Sequence, residues 1–166
     1  MIGMDDWAWL RTVVVVLAWV AVAGGAVLAA LWVAFGGLRA LSPEDRLLAA
    51  TGAAPDQDRE RETAFTSAQV GIHGLLGIGT AALITYAATT DDRVAGYAAS
   101  LVAIVITAIP GVLMFLRWRE RPPQQPRVGR RRPPRVEHRL PASGVYAHGF
   151  FSACIVIGLI VLLAVD

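Results

Sequence analysis

Four stretches of this chain carry no Asp, Glu, Lys or Arg: Thr12–Leu38, Thr63–Thr90, Val94–Leu116 and Leu140–Val165. A helix rises ~1.5 Å per residue, so roughly 20 apolar residues cross a ~30 Å hydrocarbon core. Each stretch is long enough to do so. Within 166 residues, 55% of them hydrophobic, a water-soluble core cannot absorb that much apolar length. A closed β-barrel also satisfies its backbone in lipid, but it needs alternating faces, which runs such as Val13-Val14-Val15-Val16 lack. The pattern predicts an all-α membrane protein, one four-transmembrane-helix bundle over residues 1–166. Its spans are expected at about 12–38, 63–90, 94–116 and 142–165, with loops at about 39–62 and 117–141.

Charge outside the spans predicts orientation. Thirteen of the fifteen arginines lie in the two long loops: Arg39, Arg46, Arg59 and Arg61 in the first, and nine from Arg117 to Arg139 in the second. Only Arg11 and Arg93 lie on the other side. The positive-inside rule then puts both loops in the cytoplasm and both termini outside, an N-out/C-out bundle. Asp5 and Asp6 stand where a secretory leader carries basic residues, so the first apolar run is expected as a mature span. Lys is absent, as GC-rich bacterial coding produces, and a bacterial inner membrane is the expected location.

The loops differ in kind. Ser42-Pro43-Glu44-Asp45 reads as a cap, a first-turn proline and first-turn acids, and predicts a short helix ending near Gly52. A second helix restarts at Pro55-Asp56 and is expected to run unbroken into the second span. In the other loop six prolines and nine arginines predict an extended, mobile linker, with His138 in solvent. Such a basic strip suits anionic inner-leaflet lipids or an acidic partner. It has no interleaved aromatics or recognisable module, which argues against nucleic acid.

Little in the spans suggests chemistry except two His-Gly steps, His73-Gly74 and His148-Gly149. Each histidine stands 18 positions before an aspartate, Asp91 and Asp166, which is ~27 Å of helix. On co-directional helices the two are therefore level, near the loop side of the bilayer. Aligning Ser67–Asp91 with Ala142–Asp166 also matches Val70 with Val145, a weak repeat. It is consistent with a duplicated two-helix hairpin whose copies are joined by the Arg-rich loop.

Two readings of the histidines follow. In one, each is a neutral imidazole hydrogen-bonded to a Thr, Ser or backbone carbonyl. In the other, His73 and His148 are the axial ligands of a b-type haem, with Arg39, Arg117 and Arg119 meeting its propionates. Gly71, Gly74, Gly77, Gly144 and Gly149 then make room, and a Thr, Gln or Ser side chain holds each Nδ1–H. A bare metal ion fits poorly, because no third ligand accompanies the pair; Cys154, the sole cysteine, follows His148 by six residues and lies off its face. No span contains Asp or Glu, which argues against a proton relay or transporter. No nucleophile–base pair, P-loop or dinucleotide fingerprint is present, so an enzyme is not expected.

The sequence thus favours a non-catalytic accessory or scaffold subunit acting by association with lipid, a membrane-protein partner or a second copy. The competing class is a b-type haem electron-transfer protein.

Overall fold

The computed structural model describes residues 7–39, 63–120 and 135–165, together with Leu47 and Thr51. Four long helices account for most of this: α1 (Ala8–Ala34), α2 (Ser67–Thr89), α3 (Arg93–Arg119) and α4 (Ala142–Val165). All four are long and apolar enough to cross a membrane, and no strand occurs among the described residues. By length and composition this is a multi-pass helical membrane protein. Successive helices pack side by side and α4 returns to α1, so the four close into a ring. Outward residues such as Leu75, Ile109 and Phe150 are exposed. Between helices in lipid such apolar surface drives no association, so the inward face must hold the bundle by close packing and hydrogen bonds.

The helix ends follow local chemistry. Trp7 precedes α1, and past Phe35 the chain reverses at Gly36, whose φ of 101° suits a residue without Cβ. A 3-10 turn, Gly37–Arg39, follows. The start of α2 differs from expectation. Residues 63–66 are not helical, so no unbroken helix enters α2; instead Thr66 is an extended N-cap. Its hydroxyl accepts from the Gln69 amide at 3.1 Å, and the Gln69 side chain accepts from the Thr66 amide at 3.1 Å. This reciprocal capping box satisfies two amides that a continuous helix would have satisfied internally. The expected helices over 42–52 and 55–62 lie outside the described residues, apart from Leu47 and Thr51, which are helical. α3 runs past the apolar run to Arg119 and keeps Pro110 inside it.

The buried positions of the two halves of the chain fall in register. On α2 they include Thr80, Ile84 and Ala87; on α4 they include Ile155, Leu159 and Leu162, each 75 residues later. On α1 they include Arg11, Val14, Ala18 and Ala21; on α3 they are Tyr97, Ser100, Ile104 and Thr107, each 86 residues later. Close approach is built into this core. A Cβ on Gly158 would lie 2.5 Å from Val14 Cγ2, so α4 meets α1 only because that position is glycine.

A second cluster closes the loop end of the bundle, where Trp32, Phe65, Val136 and Leu140 are buried together. Trp32 is 2% exposed, and its indole N–H donates to Thr63 Oγ1 at 3.1 Å. The end of the Arg-rich loop belongs to this cluster. Val136–Arg139 forms a 3-10 turn, with Val136 and Glu137 fully buried and His138 half-buried. Two apolar anchors flanking Glu137-His138-Arg139 overcome the local charge, so this part is packed and His138 is half-buried where full exposure was expected. Residues 121–134 of the expected linker lie outside the described residues.

Candidate functional site

His73 on α2 and His148 on α4 meet inside the ring. Their ring centroids are 6.0 Å apart and the ring planes cross at 82°. The equal spacing to Asp91 and Asp166 therefore reports a real juxtaposition across the bundle diagonal. His73 Nδ1 lies 3.0 Å from the Thr107 carbonyl on α3, and His148 Nδ1 lies 3.0 Å from the Ala21 carbonyl on α1. A carbonyl only accepts, so both Nδ1 atoms carry the proton and donate. In a neutral imidazole this leaves the Nε2 lone pair free. No hydrogen bond joins the two rings, and no described residue bonds either Nε2.

Backbone carbonyls of a helix are normally covered. Each Cβ tilts toward the helix N-terminus, so the side chain four residues on overhangs the carbonyl. Here the residue four beyond Thr107 is Gly111, and the residue four beyond Ala21 is Gly25. A Cβ at Gly111 would lie 2.8 Å from His73 Cε1, and one at Gly25 would lie 3.1 Å from His148 Cε1. Each imidazole thus sits in the notch of a missing side chain and reaches the second lone pair of a helical carbonyl. The side-chain Thr, Gln or Ser expected to hold each Nδ1–H is not used.

The neighbouring polar groups are otherwise engaged. The Thr107 hydroxyl bonds the Ala103 carbonyl at 2.8 Å and the Thr80 hydroxyl at 2.9 Å, so it does not cover the Ile106 carbonyl that Pro110 leaves without an amide. Ser152 donates to the His148 carbonyl at 2.9 Å, back along its own helix. Trp19, deep in α1, donates to Thr85 of α2 at 3.1 Å.

Of the three arginines singled out from sequence, Arg117 bonds the helix that carries His73. Its Nη1 donates to Gln69 Oε1 at 3.0 Å and to the Ala64 carbonyl at 3.2 Å, and Gln69 is one turn before His73. Arg119 is exposed, with its guanidinium carbon 5.8 Å from the centroid of Phe115. The side chain of Arg39 lies outside the described residues. Of the glycines expected to make room, Gly71, Gly74, Gly77 and Gly149 have nothing within 4 Å of an added Cβ, whereas Gly144 is packed on Leu28 at 3.3 Å. Gly71, Gly74 and Gly149 are exposed, so the space beside them is on the outer surface; Gly77 is half-buried one turn after His73.

Chemically, the arrangement offers two neutral nitrogen donors held by opposite walls. No group of three or more His, Cys, Asp or Glu suited to a metal ion occurs among the described residues. The sequence motifs singled out above include neither Gly25 nor Gly111, the two glycines on which the rings rest. Their signal was the recurrence, 86 residues apart, of Gly25 and Trp32 as Gly111 and Trp118. The chain matches no known protein family, curated protein or solved structure.

Proposed function

We propose that this protein is a membrane-embedded electron carrier in which His73 and His148 hold a b-type haem through their Nε2 atoms. One observation carries the reading: both rings are anchored through Nδ1 to opposite helices, and their centroids stand 6.0 Å apart. A metal bound by both Nε2 atoms at ~2 Å each, with each ring centre ~1 Å further back, separates the centroids by about 6 Å. Two neutral imidazoles can also touch edge to face at this distance. Each Nε2 keeps a lone pair with no hydrogen bond among the described residues, which is what ligation requires.

The donor set favours a porphyrin over a bare ion. Two ligands leave a free divalent cation under-coordinated, while a haem brings four equatorial nitrogens of its own. The carbonyls of Thr107 and Ala21 fix the tautomer and make each imidazole a stronger donor. Arg117, which bonds Gln69 one turn from His73, would be the propionate contact. A haem held there would supply one-electron chemistry, and the chain's part would be to bind it and orient the two imidazoles.

Purified from haem-replete cells, the protein is expected to show a Soret band and a reducible α band. Replacing either His73 or His148 by Ala abolishes both. A colourless wild-type protein overturns the haem reading and returns the accessory-subunit class to first place.

The surroundings of the site support three finer points. The arginine bias favours N-out/C-out insertion in a bacterial inner membrane, with the Arg-rich segment against anionic lipid or a partner. The register of buried positions supports duplication, with α1–α2 and α3–α4 as the copies. In that form the tight Thr89–Asp92 turn joins them, and the Arg-rich loop lies within the second copy.

A further inference from the structure

Three aromatic rings gather at the loop end of the seam between α3 and α4. Phe115 and Trp118 stack with centroids 5.8 Å apart, and Tyr146 meets them edge to face at 6.0 Å and 5.6 Å. The exposed guanidinium of Arg119 lies over the Phe115 ring, 5.8 Å from its centroid. Arg117, two residues earlier, bonds Gln69 and Ala64, whereas Arg119 makes no hydrogen bond or ion pair among the described residues. The indole N–H of Trp118 and the hydroxyl of Tyr146 are likewise without a hydrogen bond there.

Helix packing does not require this cluster. Buried positions of α1 and α2 recur 86 and 75 residues later on α3 and α4. At the matching places in the first pair stand Ala29, Trp32, Val33 and Gly71. There Trp32 is buried, with its N–H spent on Thr63. A helix pair of this design therefore packs without the counterparts of Phe115, Arg119 and Tyr146.

What lies beside the cluster narrows its ligand. Val112 and Leu116, two turns and one turn before Arg119, are exposed on α3, and so is Phe150, one turn after Tyr146 on α4. Arg119 follows Leu116, the last residue of the apolar run, by three residues or ~4.5 Å of helix. A guanidinium at that level meets lipid phosphate, with the apolar strip beside it for acyl chains. Resting over a ring, it still offers edge N–H groups to two phosphate oxygens. Indole and phenol donors suit the same acceptor. The adjacent acid, Glu120, is exposed and forms no ion pair with Arg119.

We infer that this cluster is a binding site for one anionic phospholipid. Arg119, Trp118 and Tyr146 take its phosphate, and its chains run along Val112, Leu116 and Phe150. The inference rests on the lipid reading of the loop end, which it sharpens to a single site, and is independent of the haem.

The test is native mass spectrometry of the full-length protein in mild detergent, titrated with phosphatidylglycerol or with phosphatidylcholine of the same chains. Wild type is expected to retain one phosphatidylglycerol at concentrations where phosphatidylcholine stays unbound. Loss of one basic contact corresponds to about fivefold weaker binding, the effect expected of R119Q. W118F/Y146F keeps three rings but removes both donors, and should weaken binding as well. R130Q/R131Q/R132Q should leave the retained lipid in place. Arg119 is exposed, so R119Q decides the matter even where the aromatic variant fails to fold. Unchanged binding by R119Q or by folded W118F/Y146F, or equal loss in the loop variant, overturns the site and leaves the loop's general attraction to anionic lipid standing. Displacement of the lipid by inorganic phosphate also overturns it, since the occupant is then a free anion. Equal retention of the two lipids by wild type overturns both.

Discussion

At the scale of single residues, the site depends on two absences. Gly111 and Gly25 expose the carbonyls that hold the imidazoles, and a methyl group at either would enter the space of a ring. Gly111→Ala brings the closer contact, 2.8 Å against 3.1 Å at Gly25. Overpacking of this kind costs about 1–3 kcal/mol, which corresponds to roughly 5-fold to 150-fold weaker retention of the proposed haem. Gly111→Ala should therefore lower the haem-to-protein ratio more than Gly25→Ala, and Gly74→Ala, with nothing within 4 Å, should leave it unchanged. Absorbance at the Soret maximum per mole of protein checks the order. The histidine pair was legible in the sequence, because equal spacing from two aspartates carries over to depth in a bundle. Its anchors were not. A backbone carbonyl has no residue type to announce it, and a glycine that uncovers one looks like any packing glycine.

At the scale of elements, the helix count and approximate bounds were readable from charge alone, since lipid tolerates few ionised groups. The departures lie where short-range chemistry overrides the apolar run. α2 begins at Ser67 because Thr66 and Gln69 cap each other. Thr66→Ala should cost about 1 kcal/mol of stability, visible as a lower midpoint of thermal unfolding in detergent. It should also loosen Gln69, the acceptor of Arg117, and so perturb the loop end more than the turn end. The turn at Val136–Arg139 was hidden by the prolines and arginines before it. What folds it is the apolar pair Val136 and Leu140, buried against Trp32 and Phe65. Reading the loop by average composition masked those two anchors.

At the scale of the whole molecule, the bundle gathers polarity unevenly. The α2–α3 side carries the Thr80–Thr107 hydroxyl pair, while the corresponding positions on α4 and α1 are Ile155 and Ala21. Orientation is the property most open to a direct check. With Cys154 replaced by Ser, single cysteines placed at Gln124 or at Asp91 should label from opposite sides of intact cells. The expected result is protection at 124 and reaction at 91; the reverse pattern inverts the insertion while leaving the site intact. The ring also has a consequence for how this protein can change over time. The first half supplies His73 and Gly25, the second His148 and Gly111, yet each histidine rests on the glycine of the opposite half. Neither half holds a complete seat. Drift at position 25 is answered at 148, and drift at 111 is answered at 73. Among relatives of this chain, covariation should therefore link the halves crosswise, 73 with 111 and 25 with 148, and a half exchanged between distant relatives should inherit a mismatched partner at both seats.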